Sequence, residues 1–416
     1  MVEETLDTMA MGGIYDQIEG GFYRYSTHPD WIAPHFEKML YTQAEMIPLY
    51  VKMYQLTQKP RYKQVVEETI KETQRILGSE GLFYAATDAD SAGREGGYFI
   101  YQYDEVKEAL KKAGYSEAQM EENLDYFDIL ETGNFEDGFS NPQFNTGIDD
   151  VPARMQETRA ILKKLRADKK FPFIDKKIIT AWNAMMIKAL FVAGELDTRY
   201  IKVAQKALDI LLKKMYHDKQ LYHKYLSPRP ATQKALLEDY AFLIDALLQG
   251  YEKTYEKRYL HLAKELTENA IKKFYKKGVW YLDEAHFAKA QYKDKYYTAP
   301  LARLYHDMFS VASLEYDLAL LEKTKGFIKA EKSRILVAVD KSPEAARALV
   351  RSTHENIVLK STKENLVKHK EQIDKISYPF FLTKALKEKM FLLCNDSSCF
   401  FYDKNISKVL EKMKVK

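Results

Sequence analysis

Cysteine is nearly missing from this chain: only Cys394 and Cys399 occur among 416 residues, both close to the C-terminus. A disulfide-built scaffold is thereby excluded, and a reducing cytoplasm is the expected location. Two sulfurs with no second Cys or His pair nearby also fall short of a structural zinc site. Long apolar runs are missing as well. No stretch of about 18 apolar residues is present to cross a membrane. The opening MVEETLDTMA lacks the basic region and apolar core of a secretory signal. Neither sign of charge dominates, since 64 basic and 60 acidic side chains leave a formal +4, and no basic block suggests nucleic acid. Walker A, strand-bound G-x-G-x-x-G and G-x-S-x-G signatures are absent. The stretch DADSAGREGGYF (88–99) starts like a calcium loop but has Ala92 and Phe99 where oxygen ligands are required. His35-Phe36-Glu37 has the His-x-Glu of zinc deaminases without the Pro-Cys-x-x-Cys that should follow. No metal or cofactor is expected.

Aromatic residues are plentiful instead: 13% of the chain, with 30 Tyr and 21 Phe. Many fall in a repeat. Segments beginning Arg61-Tyr62, Arg199-Tyr200 and Arg258-Tyr259 run through an amphipathic helix and end at Phe83-Tyr84, Leu221-Tyr222 and Trp280-Tyr281. The tyrosine-to-tyrosine interval is constant, since 84−62, 222−200 and 281−259 all equal 22. Each is preceded by another helical stretch, at 35–57, about 180–195 and about 238–254. The unit is helix, loop, helix, aromatic turn, and such units bury their faces against their neighbours. Either an open solenoid or a closed (α/α) ring of hairpins follows. Tyr62, Tyr200 and Tyr259 read as packing residues.

Further helices are expected at about 3–18, 104–113, 153–168 and 303–322. A loop-rich segment spans 114–152 and includes ETGNFEDGFSNPQFNTGIDD. The expected domains are a helical 1–325 and a small α/β region 326–416, with short strands in RILVAVD (334–340), NIVLKST (356–362) and MFLLCND (390–396). In WIAPHFEKMLY (31–41), Pro34 suits a helix start, which would put His35, Glu37 and Lys38 in a first turn.

If inner and outer helices alternate, the inner-helix N-termini and the aromatic turns share one face. That face would gather carboxylates, a histidine and aromatics, a set suited to sugars: rings stack on C–H faces, and acids work in general acid/base steps. Glu37, Asp88, Asp90 and Asp239 are the acid/base candidates and His35 the proton carrier. Tyr84, Trp182 and Trp280 are stacking candidates. Arg24, Tyr25, Asp175, Asn183, Glu238 and Tyr240 are further substrate-binding candidates. Asp88 and Asp90 also fit a turn in which Asp side chains bond their own backbone. Glu238 and Asp239 also fit plain N-terminal helix charges.

The stretches GGIYDQIEGGFYRYSTHPDWIAPHFEKMLYTQAEM (12–46), DADSAGREGGYF (88–99), DKKIITAWNAMMIKAL (175–190) and EDYAFLIDALLQGYE (238–252) resemble the spermatogenesis-associated, thioredoxin-domain-containing (YyaL-like) family. The resemblance implies an all-α, (α/α)6 toroid like those of six-hairpin glycosidases and N-acylglucosamine 2-epimerases, here with the small C-terminal α/β appendage. It also implies an N-terminal thioredoxin-like domain that this chain lacks, so the chain is expected to be part of a longer protein or a shortened form. Lys176, Ala184 and the run Ala299-Pro-Leu-Ala-Arg303 depart from the family pattern. The leading expectation is a sugar epimerase, isomerase or glycoside hydrolase-like protein with a small-molecule carbohydrate as partner. The alternative is a non-catalytic sugar- or protein-binding scaffold working with a thioredoxin-like domain. A redox role for Cys394 and Cys399 is a third reading, set against a simple pair of buried thiols.

Overall fold

The computed structural model describes residues 1–144 and 155–413. The chain divides into two compact units. Met1–Leu212 with Tyr225–Pro230 form the first, and Lys213–Lys224 with Ala231–Lys416 the second.

The first unit contains α1 (Val2–Met11), α2 (Leu40–Thr57), α3 (Pro60–Ile76), α4 (Tyr103–Lys112), α5 (Glu117–Tyr126), α6 (Met155–Ala167), α7 (Thr180–Ala193) and most of α8 (Arg199–Met215). Helix α2 packs on both α3 and α7. Pro60 at the first position of α3 explains the sharp start. Tyr62, Val65, Val66, Thr69, Ile70, Thr73 and Ile76 then form its buried stripe at helical spacing. Helix α7 is buried nearly all round, as a central helix must be.

In the second unit α9 (Leu237–Thr254) packs on α10 (Lys257–Phe274) and α11 (Pro300–Glu315). Helices α12 (Leu318–Val337) and α13 (Pro343–Ser352) follow. The chain then builds a four-stranded sheet. Ile357–Ser361 pairs in parallel with Phe381–Ala385 and antiparallel with Phe391–Cys394, which pairs antiparallel with Cys399–Asp403. Its core holds Ile357, Leu359, Phe391 and Leu393 against Val409 of the last helix. Helical hairpins with short connectors, followed by this α/β appendage, agree with the (α/α)6 toroid class expected from the sequence. Among the described residues no helix is long and apolar enough to cross a membrane.

The repeat is a structural one. Helices α3, α8 and α10 each run into a two-stranded hairpin, at 78–83, 216–221 and 275–280. Each turn has two residues, Glu80-Gly81, Asp218-Lys219 and Lys277-Gly278, all at positive φ. That is the geometry whose twist matches antiparallel strands. Tyr84, Tyr222 and Tyr281 then donate their N–H to Leu77, Met215 and Phe274, seven residues back each time. Tyr62 and Tyr259 are buried.

Several boundaries differ from expectation. The expected 3–18 helix stops at Met11, because Gly13 approaches Ile32 so closely that a Cβ there would lie 2.0 Å from the Ile32 carbonyl oxygen. We expect Gly13→Ala to lose about 1–3 kcal/mol of stability to overpacking, read from its denaturant midpoint. The expected 303–322 helix breaks at Tyr316 (φ 58°), and Asp317 caps the next one through the Leu320 N–H. RILVAVD is not a strand. It continues α12 to Val337, with Ile335 buried while Leu336 and Val337 face solvent, and a short β-branched run cannot itself choose between the two states. Helix α5, inside the expected loop, is opened by a capping box between Ser116 and Gln119. The part of that loop after residue 144, and the expected helix start at 153, lie outside the described residues.

Candidate functional site

Residues 34–39 do not open a helix. Pro34 and His35 pair with Ser26 and Tyr25 as extended chain. Lys38 and Leu40 make backbone contacts with Thr87 and Ala85, and α2 starts only at Leu40. Side chains in extended chain alternate faces. Phe36 and Lys38 therefore point inward while His35 and Glu37 share the partly open side.

On that side His35 Nδ1 lies 2.6 Å from Glu95 Oε1, and Nε2 lies 3.3 Å from Glu37 Oε2. Arg24 donates through Nη1 to the same Glu37 oxygen at 2.7 Å and through Nε to the Tyr41 hydroxyl at 3.1 Å. Tyr25 stacks on the His35 ring at 5.0 Å, and Trp182 meets Tyr41 edge-on at 5.0 Å. The His35 and Glu37 side chains are each 25% exposed. This arrangement can hold a proton between an imidazole and a carboxylate beside aromatic surface.

Lys38 points the other way, into a buried lock. Its ammonium donates to Asp16 Oδ2 at 2.8 Å and to the Gly20 carbonyl at 2.9 Å. Arg166 Nη1 reaches both Asp16 oxygens at 2.9 Å, and its Nη2 donates to the Phe99 carbonyl. Burial alone would raise the Asp16 carboxyl, but Arg166 and Lys38 hold it well below the usual carboxylate range. Lys38 thus fixes the strand whose opposite face carries His35 and Glu37.

The remaining first-unit candidates are placed differently. Asp88 and Asp90 are exposed. Asp88 accepts the Asp90 N–H in a local turn, and Asp90 pairs through its backbone with Glu95. Asp175 pairs with Lys177 at 2.8 Å, and Tyr84 is half-buried at its hairpin. Asn183 is a correction. It is fully buried, accepts the Phe83 N–H and donates to the Phe83 and Ile179 carbonyls. It clasps the first hairpin and is not open to a ligand.

In the second unit, Asp239 Oδ2 caps α9 by accepting the Leu236 N–H at 2.8 Å and lies 2.9 Å from His223 Nδ1. The Tyr297 hydroxyl donates to Glu238 at 2.6 Å. Trp280 and Tyr240 are further corrections, since both are buried. Trp280 packs on Tyr275 and Phe327, and Tyr240 on Phe274. Neither offers a stacking face. The ligand atoms of His223, Glu238 and Asp239 lie within 4.8 Å of one another. Part of that ligand set is already used in the bonds between His223 and Asp239 and those from Leu236 and Tyr297. Asp16, Glu19 and Glu72, equally close, are taken by Lys38 and Arg166.

Burial pushes Asp239 up to about 6, despite the nearby His223. Burial would lower His223, but the bond to Asp239 outweighs it and the imidazole is raised. Both shifts mean that the folded pair holds protons the unfolded chain releases. Their stabilising effect is full below the unfolded carboxylate value and fades as pH rises through the folded values. We expect the Tm difference between wild type and His223→Gln/Asp239→Asn to shrink from pH 4 to pH 8. A difference growing with pH would contradict this.

Sequence reasoning gave Glu95, Tyr41 and His223 no role. For Glu95 and His223 the readable signal was only their place in the aromatic turns. Cys394 and Cys399 form a disulfide across the last strand pair, with Cys394 buried and Cys399 exposed, which corrects the reading as two buried thiols.

No family model matches the chain. It is 30% identical over 326 residues to an uncharacterised protein of Caenorhabditis elegans, covering 68% of this chain and 44% of that one. It is 28% identical to human spermatogenesis-associated protein 20, covering 66% of this chain and 40% of that protein. The chain thus spans about two fifths of the length of these relatives. Among solved structures it is similar to a sugar epimerase from a ruminal bacterium, with 10% identity, a TM-score of 0.47, and 80% and 71% of the two chains covered. That distance assigns no chemistry.

Proposed function

We propose that the chain belongs to the spermatogenesis-associated, thioredoxin-domain-containing family and acts on a small carbohydrate, transferring a proton with His35 and Glu37. The observation that carries this reading is the quarter-exposed His35 ring, held at one nitrogen by Glu95 and within reach of Glu37 at the other. Glu95 fixes the ring orientation, and the bond from Arg24 Nη1 holds the Glu37 carboxylate in place beside it. A substrate C–H or hydroxyl placed between Glu37 and His35 Nε2 would exchange its proton there. Tyr25 and Trp182 offer ring surface to the apolar face of a sugar.

Incubating the protein with reducing mono- and disaccharides in D2O tests this by proton NMR. Deuterium entering at the carbon beside the carbonyl identifies an epimerase or isomerase, and loss of a glycosidic anomeric signal identifies a hydrolase. Neither change with any sugar overturns the catalytic reading. A second reading then stands, a binding module that works with a thioredoxin-like domain.

A further inference from the structure

The second unit holds a cleft of about 160 Å³, walled by α9, α11, α13 and the strand Phe381–Ala385. It is separate from His223 and Asp239 and plays no part in the proton transfer proposed above. Its lining is unusually charged for the core side of a helical bundle. Arg303, His306, Arg347 and Arg351 face Asp245 and Asp307 across it, and Phe380 forms an apolar wall.

Two of the carboxylates nearby, Asp245 and Glu344, are engaged by the outer arginines. Arg303 lies 3.4 Å from Asp245 and 2.6 Å from Glu344, and Arg347 pairs with Glu344 at 2.8 Å. Arg351, at the floor, is different. It is 6% exposed, yet its hydrogen bonds go to the Asn356 side chain at 2.7 Å, the His306 carbonyl at 2.9 Å and the Ser310 hydroxyl at 3.1 Å, all neutral acceptors. No carboxylate lies within ion-pair distance of it among the described residues, and Asp307 and Asp396 act on it only at longer range. A guanidinium has five N–H donors, so those bonds leave capacity unused. Leaving a buried cation without a contacting counterion is costly.

The lining as a whole is balanced in charge, with Arg303, Arg347 and Arg351 beside Asp245, Glu252 and Asp307. Burial lowers the Arg351 guanidinium to about 10. Burial and the three arginines push the His306 imidazole well below its usual range, so it is neutral at physiological pH. The cleft is therefore provided with cations, a neutral imidazole and a Phe380 face, and its volume equals roughly five water molecules.

We propose that this cleft binds a small oxyanion, a carboxylate or a phosphate group, with Arg351 as its buried counter-charge and Arg347 at its rim. A guanidinium fork matches either anion in two-point geometry. The anion supplies the counterion that the fold does not place in contact with Arg351.

Thermal-shift and calorimetric titrations of the full chain with sodium phosphate and with sodium malonate test this, against sodium chloride at matched ionic strength. The expected result is a saturable rise in Tm with at least one of the two, and the responding anion names the source. Arg347→Gln, an exposed change that leaves the fold intact, should weaken that affinity about tenfold, the loss of one charge-assisted bond. Arg351→Lys should abolish it. If Arg351→Lys does not fold, the Arg347→Gln titration decides alone. No saturable response beyond chloride, or an affinity unchanged in Arg347→Gln, overturns the proposal.

Discussion

Replacing Asp16 by alanine should cost the protein about 3–5 kcal/mol, the usual loss when one partner of a buried ion pair is removed. The reason is geometric. Lys38 and Arg166, each 1% exposed at the side chain, both rest on this carboxylate, and Glu19 and Glu72 sit farther from them at 3.3 and 3.5 Å. Asp16 also accepts the N–H groups of Ile18 and Glu19, so the turn after α1 loosens with it. Urea unfolding monitored by circular dichroism measures the effect, and a loss below about 1 kcal/mol would mean that the pair contributes no more than an exposed one. The pH sign follows from the depressed carboxyl. Its stabilisation is complete above the unfolded value near 4 and is lost as pH falls toward the lower folded value. Wild type should therefore lose stability on acidification below about pH 4 more steeply than Asp16→Ala.

The second large effect concerns turnover. Once a sugar substrate is found by deuterium exchange, His35→Asn and Glu37→Gln should each lower kcat by about a hundred- to ten-thousand-fold, the range for removing a positioned acid or base. Because both side chains are partly exposed, Tm should move little, which separates a chemical loss from unfolding. Asp88→Asn is the contrast, since an amide oxygen can still accept the Asp90 N–H and turnover should stay near wild type. Full activity in Glu37→Gln would remove that residue from the mechanism.

The helix pairs were legible because period and spacing are local signals, and the 22-residue interval marks where three hairpins fall. What misled was Pro34. Its fixed φ suits a helix start but suits extended chain equally, and the pairing with Tyr25 and Ser26 decided the matter. The alternation at 34–38 was visible in the letters, with Phe36 between His35 and Glu37, but reading it needed the strand assignment first. Trp280 and Tyr240 were misjudged for a related reason. Aromatic content marks a stacking platform and a core equally well, and only burial separates them. The Arg351 cleft had no signature at all, because its residues come from four elements spread over 245–383.

The three hairpins share a division of labour that bears on how such a protein can diverge. In each, the last residue of the strand after the turn is spoken for by the core, as Phe83, Leu221 and Trp280 are. The next residue, Tyr84, Tyr222 or Tyr281, is tied down by its backbone while its ring stays half in solvent. Mutation at the second position can therefore alter what the surface recognises without disturbing the scaffold. The repeat supplies three such adjustable positions, each inherited with its own support.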